Sequence, residues 1–322
     1  MNLRNYILRR SIQAIPLIFG VIILNFTLIH LAPGDIALIM AGEDAAPEYV
    51  EALRTRFGLD KPILEQLMIY ISNILKGDFG YSFANRQPVV KVILERVPAT
   101  VLLISCSMLF SISIGILLGV NASKSPYSRA DNATTVGSLL GFSIPNFWLG
   151  IMLMLVFSLT LGIFPVQGMY TVGVEMSGIE RLIDIARHLV LPALVLGTAK
   201  TARYARMTRA TMLDVLDQDY IITARAKGCN GRLVLFDHAL KNALLPVVTM
   251  IGLNFGSIIT GATLTETVFA WPGIGRLMKD SIFRRDYPVL MGLFIMVSIS
   301  IIIATILTDI LYAYLDPRIR YG

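Results

Sequence analysis

The residues of this chain that could do chemistry are few, and the informative ones lie in one polar stretch. It reads Asp219-Tyr220-Ile221-Ile222-Thr223-Ala224-Arg225-Ala226-Lys227-Gly228-Cys229-Asn230-Gly231-Arg232, and continues to Asn242-Ala243-Leu244-Leu245-Pro246. Covalent chemistry has no basis elsewhere in the sequence. No G-x-x-x-x-G-K-[ST] loop occurs to cradle phosphates, and the dipeptide Gly-Lys is absent. There is no H-E-x-x-H pair for a metal and no G-x-S-x-G elbow for a nucleophile. His30, His188 and His238 fall in separate segments, and the neighbours Asp237 and His238 point in different directions on a helix, so neither a metal site nor a catalytic pair is expected. Cys106 and Cys229 read as structural residues. The chain reads as a conduit, not an enzyme.

The elements that position the polar stretch follow from its pattern. Residues 214–227 have helix-forming composition, with Leu216, Tyr220 and Ala224 recurring every four residues on one face. Gly228 sits where a helix needs a residue tolerant of positive φ, and Asn230-Gly231 reinforces the turn. A second helix can run over 232–243, and Pro246 suits the first turn of the next. The stretch is thus a hairpin of two helices between apolar runs. Those runs set the class. Of 322 residues, 55% are hydrophobic and 16% charged, too few charges for a soluble surface. Several runs reach the ~20 residues that cross a bilayer core. The net charge of +6 therefore carries no nucleic-acid reading.

About six spans are expected. The first covers 11–31, with Asn25, Thr27 and His30 available for interhelical hydrogen bonds. Arg4, Arg9 and Arg10 precede it and place the N-terminus in the cytoplasm, whereas Arg276, Lys279, Arg284 and Arg285 run against that rule. Residues 32–98 form a long non-spanning region with short helices at 47–57, stopped by Gly58, and 62–76, ended by Gly77-Asp78. The second span, 99–120, carries Gly115-x-x-x-Gly119, a spacing that lets helix backbones approach closely. Residues 133–164 are too long for one straight span and should break at Pro145. Asn146 and Trp148 follow the break and are pathway candidates, as is Asn254 in the fifth span, 246–268. An outer loop is expected at 165–188, then a short apolar run at 189–199. Lys200, Arg203, Arg206 and Arg209 come next, three apart, and would reach lipid headgroups or hold a partner. The sixth span is 288–312. Glu266, Asp309 and Lys200 all fall near span ends, which disfavours a self-sufficient, ion-coupled carrier.

The polar stretch resembles the cytoplasmic "EAA" loop of ABC-importer permeases, in the version of the dipeptide/oligopeptide type. The pattern's Glu stands at Ile222, its two Ala at Thr223 and Ala224, and its Gly at Gly228, so a Glu-based ion pair is not carried over. Leu31-Ala32-Pro33-Gly34-Asp35, Phe57-Gly58-Leu59-Asp60-Lys61-Pro62, Gly77-Asp78-Phe79-Gly80-Tyr81-Ser82, Ser143-Ile144-Pro145-Asn146-Phe147-Trp148, Phe269-Ala270-Trp271-Pro272-Gly273 and Leu315-Asp316-Pro317-Arg318 extend the likeness along the chain. The resemblance implies an all-α, MetI-like, type I importer permease fold with an N-terminal outer insert. Residues 1–98 would be the first span plus insert, and 99–322 a five-helix core whose coupling hairpin is 214–245. It also implies a prokaryotic cell (inner) membrane location with both termini cytoplasmic. The partners implied are a homologous sister permease, two ATP-binding subunits and an extracytoplasmic solute-binding protein. ATP and Mg would be bound by those ATPases and no cofactor by this chain. Asp219, Tyr220, Thr223, Ala224, Arg225, Ala226, Lys227 and Gly228 would dock on the ATPase, with Ala224 and Gly228 permitting close approach and Arg225 and Lys227 pairing with acidic groups. Trp271, Pro272 and Gly273 would touch the binding protein. The cargo implied is di- or oligopeptides, with oligosaccharides, nickel or glutathione as the alternatives.

Overall fold

A computed structural model describes residues 3–31, 34–41, 45–82, 84–255 and 262–315. Among the described residues the fold is helical apart from one hairpin of two-residue strands, β1 (Tyr81–Ser82) and β2 (Gln87–Pro88). The helices are α1 (Leu3–Leu31), α2 (Ile36–Ala41), α3 (Pro47–Phe57), α4 (Ile63–Leu75), α5 (Val89–Ser123), α6 (Arg129–Ser143), α7 (Asn146–Leu153), α8 (Gly178–Leu216), α9 (Asp219–Ala226), α10 (Gly231–Leu233), α11 (Lys241–Phe255), α12 (Thr263–Val268), α13 (Ile274–Phe283) and α14 (Tyr287–Leu315). Two π-helical stretches, Met154–Thr160 after α7 and Val234–Leu240 between α10 and α11, widen the helices they interrupt.

Among the described residues, four helices are long and apolar enough to cross a membrane: α5, α8, the run Gly231–Gly252 and Tyr287–Ile306 of α14. The pair α6 and α7 with its π-helical extension, bent by 102°, has the form of a broken span or a re-entrant loop, and as a single span it would be the fifth. The bend falls at Ile144-Pro145, because proline removes an amide and disfavours helical backbone in the residue before it. The expected first span, 11–31, falls in the 29-residue α1, whose described apolar stretch Ile12–Leu28 is shorter than those four. Two expectations change. The short fourth run is part of a 39-residue helix, so the outer loop at 165–188 ends at Ser177. There, Ser177 and Glu180 form a reciprocal capping box that starts the helix far outside the apolar run. The expected fifth span, 246–268, is helical to Phe255, its middle lies outside the described residues, and Thr263–Val268 is a separate helix.

The chain packs as two compact units. The first holds α1–α4, the strand hairpin, the start of α5, and α13 and α14. Within it α14 packs on α1, where Asn25 Nδ2 donates to Met291 O (3.3 Å). His30 Nε2 lies 2.9 Å from Gln66 Oε1 on α4, while Thr27 Oγ1 donates to Ile23 O (2.8 Å) within its own helix. α3 ends at Gly58 (φ +62), where Leu59 N donates to Arg54 O (2.9 Å). α4 turns Gln66, Tyr70 and Asn73 toward a cavity shared with Phe26 and Met291, and leaves Leu64, Met68 and Leu75 exposed. A second anchor is Asp286, which precedes α14. Ser82 Oγ donates to its Oδ2 at 2.5 Å, and Asn85 N bonds back to Ser82 Oγ (3.1 Å).

The second unit is built on α5 from Val101, α6–α12 and the turn to Trp271. Its tightest seam is glycine against backbone. A Cβ at Gly115 would lie 2.6 Å from Tyr204 Cβ, and one at Gly119 2.5 Å from Thr208 Cβ and 2.6 Å from Ala205 O. The glycine spacing in α5 thus does what it predicts: it brings α5 against α8.

Candidate coupling site

The polar stretch folds as expected in outline and differs in register. α8 ends at Leu216, and Gln218 restarts the helix, so α9 is out of phase with a single helix over 214–227. The buried face of α9 is therefore Ile221 (0% exposed) and Ala224, not Tyr220, which is exposed. These side chains join Val120, Met212, Val234, Leu235, Ala239 and Ala243 in one apolar core, with Leu216 and Cys229 packed against it. Gly228 adopts φ +81 with its amide on Arg225 O, and Cys229 N reaches Ala224 O (3.2 Å). Asn230 caps the next helix, its Oδ1 accepting from Arg232 N (2.7 Å) and Leu233 N (3.1 Å). Across the hairpin, Asn242 Nδ2 donates to Tyr220 Oη (2.8 Å), which is the use Tyr220 finds for its outward position.

The outer face of this hairpin is charged in both senses: Arg225, Lys227, Arg232 and Lys241 are exposed, as are Asp214, Asp217, Asp219 and Asp237. Asp219, Tyr220, Thr223, Arg225, Ala226, Lys227 and Gly228 are exposed, whereas Ala224 is turned into the core. The small Ala224 lets α9 lie close on its own chain. Beside the hairpin is a groove of about 550 Å³ lined by Lys124, Arg225, Arg232, Leu216 and Phe236. Lys124 Nζ stands 6.0 Å from the centroid of the Phe236 ring. A concave, positively charged surface of this kind suits an acidic protein surface.

The remaining candidates separate. Asn146 is half-buried and Trp148 47% exposed at the start of α7, next to the 102° bend. Asn254 lies on α11, and its side chain falls outside the described residues. Of the turn expected to touch the binding protein, Trp271 is fully buried, Pro272 is half-buried and Gly273 is buried. The cause is a sharp reversal: Ala270 takes φ +49 and Trp271 N donates to Glu266 O (2.8 Å), which folds the indole inward. The exposed tip of that region is Ile282–Arg285 instead. Of the row Lys200, Arg203, Arg206 and Arg209, the last three line one cavity of about 200 Å³ with Thr134, Ser138 and Phe142; Arg203 and Arg206 are exposed, Arg209 also grips Asp131 of α6, and Lys200 is half-buried outside that lining. Sequence reasoning missed that pair, although a lone acid in an otherwise cationic loop was its available signal. Among the described residues there is no cluster of three or more His, Cys, Asp or Glu that could hold a metal.

Comparison with known proteins gives a consistent picture. A family model described as "Binding-protein-dependent transport system inner membrane component" matches residues 111–321, and the corresponding N-terminal model matches 3–104. The oligopeptide transport system permease protein AppB of Bacillus subtilis is 43% identical over 317 residues, 98% of this chain and 99% of that protein. The dipeptide transport system permease protein DppB of Escherichia coli (strain K12) is 42% identical over 334 residues, 98% of each chain. The glutathione transport system permease protein GsiC of the same strain is 40% identical, again over 98% of this chain. A solved inward-facing structure of the MetNI methionine ABC transporter aligns with a TM-score of 0.55 at 17% identity, covering 70% of this chain and 97% of the other. That likeness establishes the polytopic, all-helical transporter fold.

Proposed function

This chain belongs to the family of binding-protein-dependent transport system inner membrane components, and from that premise we propose that it is the membrane permease subunit of an ATP-driven importer of di- and oligopeptides. The cargo class rests on the full-length relatives that carry dipeptide and oligopeptide names. The mechanism rests on one observation: a helical hairpin with one apolar face locked into its own chain and an outer face that carries exposed charge, Arg225, Lys227 and Arg232 clustered at its turn. Such an element is rigidly tied to the spans and free to be gripped from outside. The chain has no phosphate-cradling loop of its own, so the work of transport comes from elsewhere.

In this reading two ATP-binding subunits hold the hairpins of this chain and a sister permease in the cytoplasm, and both termini lie on that side of the cell membrane. ATP closes the ATPases, draws the hairpins together and rocks the spans. The broken span at Pro145 lies along the path opened to a solute-binding protein outside, and hydrolysis resets the cycle. Asp219, Arg225 and Lys227 meet the ATPase directly, and Gly228 keeps the turn low enough for close docking. The same machinery carrying glutathione, itself a tripeptide, is the second reading, because GsiC is nearly as similar as the peptide permeases.

The test is the assembled complex carrying Gly228→Trp, with Gly228→Ala as the control for backbone strain at φ +81. Peptide transport per ATP falls at least tenfold with Trp and stays within about threefold of wild type with Ala. Normal coupling with Trp overturns the docking role. A ligand screen on the partner binding protein separates peptides from glutathione.

A further inference from the structure

We infer that the Asp131–Arg209 ion pair is the strut that passes movement of the coupling hairpin to the broken span α6–α7, which makes these two residues positioning residues for transport. The inference rests on the coupling role proposed for the hairpin. It starts from a contact between groups 78 positions apart in sequence. Arg209 Nε donates to Asp131 Oδ1 and Arg209 Nη2 to Oδ2 (2.7 Å), so the guanidinium grips the carboxylate as a two-pronged fork. The Asp131 side chain is 2% exposed and that of Arg209 26%. Two parallel bonds fix angle as well as distance, which a lysine or a single contact would not.

The surroundings make the fork a mechanical link. Arg209 lies one turn from Met212, which is fully buried in the hairpin core. On its neighbouring face α8 is pinned to α5 by the bare backbone of Gly119 at Thr208 and Ala205. The end of α8 therefore has little freedom to slide without carrying what it holds. What it holds is the first turn of α6, capped by Ser128, whose Oγ accepts from Asp131 N (3.3 Å). The same carboxylate also accepts the amide of Tyr127 (2.8 Å), a residue held at φ +62. Three donors thus converge on one buried carboxylate, and its turn is bound to helix and loop at once. From Arg129 the helix runs straight to Ser143 and the bend. The continuous path is Met212, Arg209, Asp131, α6, then Pro145 and the pathway candidates Asn146 and Trp148.

Removing either partner strands a charge in a buried place, while restoring the pair with its ends exchanged returns the contact. The experiment uses the complete complex in proteoliposomes with Asp131→Asn, Arg209→Gln, Arg209→Lys and the exchanged double variant D131R/R209D. Subunit assembly, ATPase activity stimulated by the loaded binding protein, and peptide transported per ATP are read together. Expected are assembly and ATPase activity within about twofold of wild type for the single variants, with transport per ATP down at least tenfold for Asn and Gln and about threefold for Lys. The exchanged variant recovers at least a third of the wild-type ratio. Unchanged transport per ATP in the single variants overturns the inference, as does an exchanged variant no better than either single one. Should Asn or Gln prevent assembly, Arg209→Lys decides: a wild-type ratio there rejects the fork. If Gly228→Trp uncouples the complex and Arg209→Gln does not, the strut fails alone. If neither uncouples it, the hairpin reading fails with it.

Discussion

The coupling hairpin and the outer insert are built from the same parts and end up opposite. Each is a pair of short amphipathic helices joined through a glycine of positive φ, Gly228 at +81 and Gly58 at +62. In the hairpin the apolar residues Ile221, Val234, Leu235, Ala239 and Ala243 are spent inward, and Arg225, Lys227 and Arg232 are left outside. In the insert, α4 buries none of its residues fully, and Ile63, Leu64, Met68 and Leu75 are each more than 60% exposed. The turn of the hairpin presents charge, with Ile222 and Leu233 exposed beside it, and α4 of the insert presents hydrocarbon. Amphipathic periodicity alone therefore does not say which face a helix keeps; the surface it meets decides that. The hairpin is suited to a protein with acidic groups, and the insert to an apolar environment such as the lipid boundary.

The contrast is most directly broken by charge. Reversing the outer face with Arg225→Glu and Lys227→Glu places like charge against an acidic partner. Copurification of the ATP-binding subunits is expected to fall more than tenfold, whereas Leu64→Glu and Met68→Glu in the insert leave it unchanged. A next effect sharpens the inward half. Ile221→Ala opens the hairpin core and is expected to cost about 2–5 kcal/mol, read as a lowered unfolding midpoint of the purified complex, while Leu64→Ala costs under about 0.5 kcal/mol. The two glycines then separate strain from crowding. Gly228→Ala meets open space and pays about 1 kcal/mol for its backbone alone, whereas a Cβ at Gly58 lies 2.7 Å from Ile69 Cδ1 and pays more, unless that side chain shifts. Thermal unfolding of the two variants side by side checks the order.

The smallest effect is one of pH, in the unit that holds the insert. Burial raises the Asp286 carboxyl above the ordinary carboxylate range, against the lowering influence of Ser82 and Asn85. A raised folded-state value means that the native protein binds its proton more readily than the unfolded chain. This group therefore stabilises the fold progressively as pH falls from neutral through that raised value, and the gain levels off below the unfolded one. Asp286→Asn removes the dependence. The difference in unfolding midpoint between wild type and Asp286→Asn is expected to shift in favour of wild type from pH 7 toward pH 4; a difference flat across that range rejects the assignment.

Particular residues show how far the sequence could be read. The helix ends at Gly58 and Gly77, the break at Pro145, the turn at Gly228 and the close approach at Gly115 and Gly119 all follow from what one residue type permits in its own backbone. So do the spans, because a bilayer leaves the chain no choice but helices of sufficient length. The start of α8 was legible in Ser177 and Glu180 but masked by the charged residues that follow, which dilute the apolar signal.

What only the tertiary structure decided are matters of adjacency and phase. A restart at Gln218 turned Ile221 inward and Tyr220 outward, and a reversal at Ala270 hid Trp271. Arg209 found Asp131 because α6 lies beside α8, a fact that no local pattern encodes. Local sequence sets the dihedrals and the lengths of the elements, since those depend on neighbouring atoms. Which side chains meet depends on how whole helices are laid together, and that is fixed only when the chain has folded.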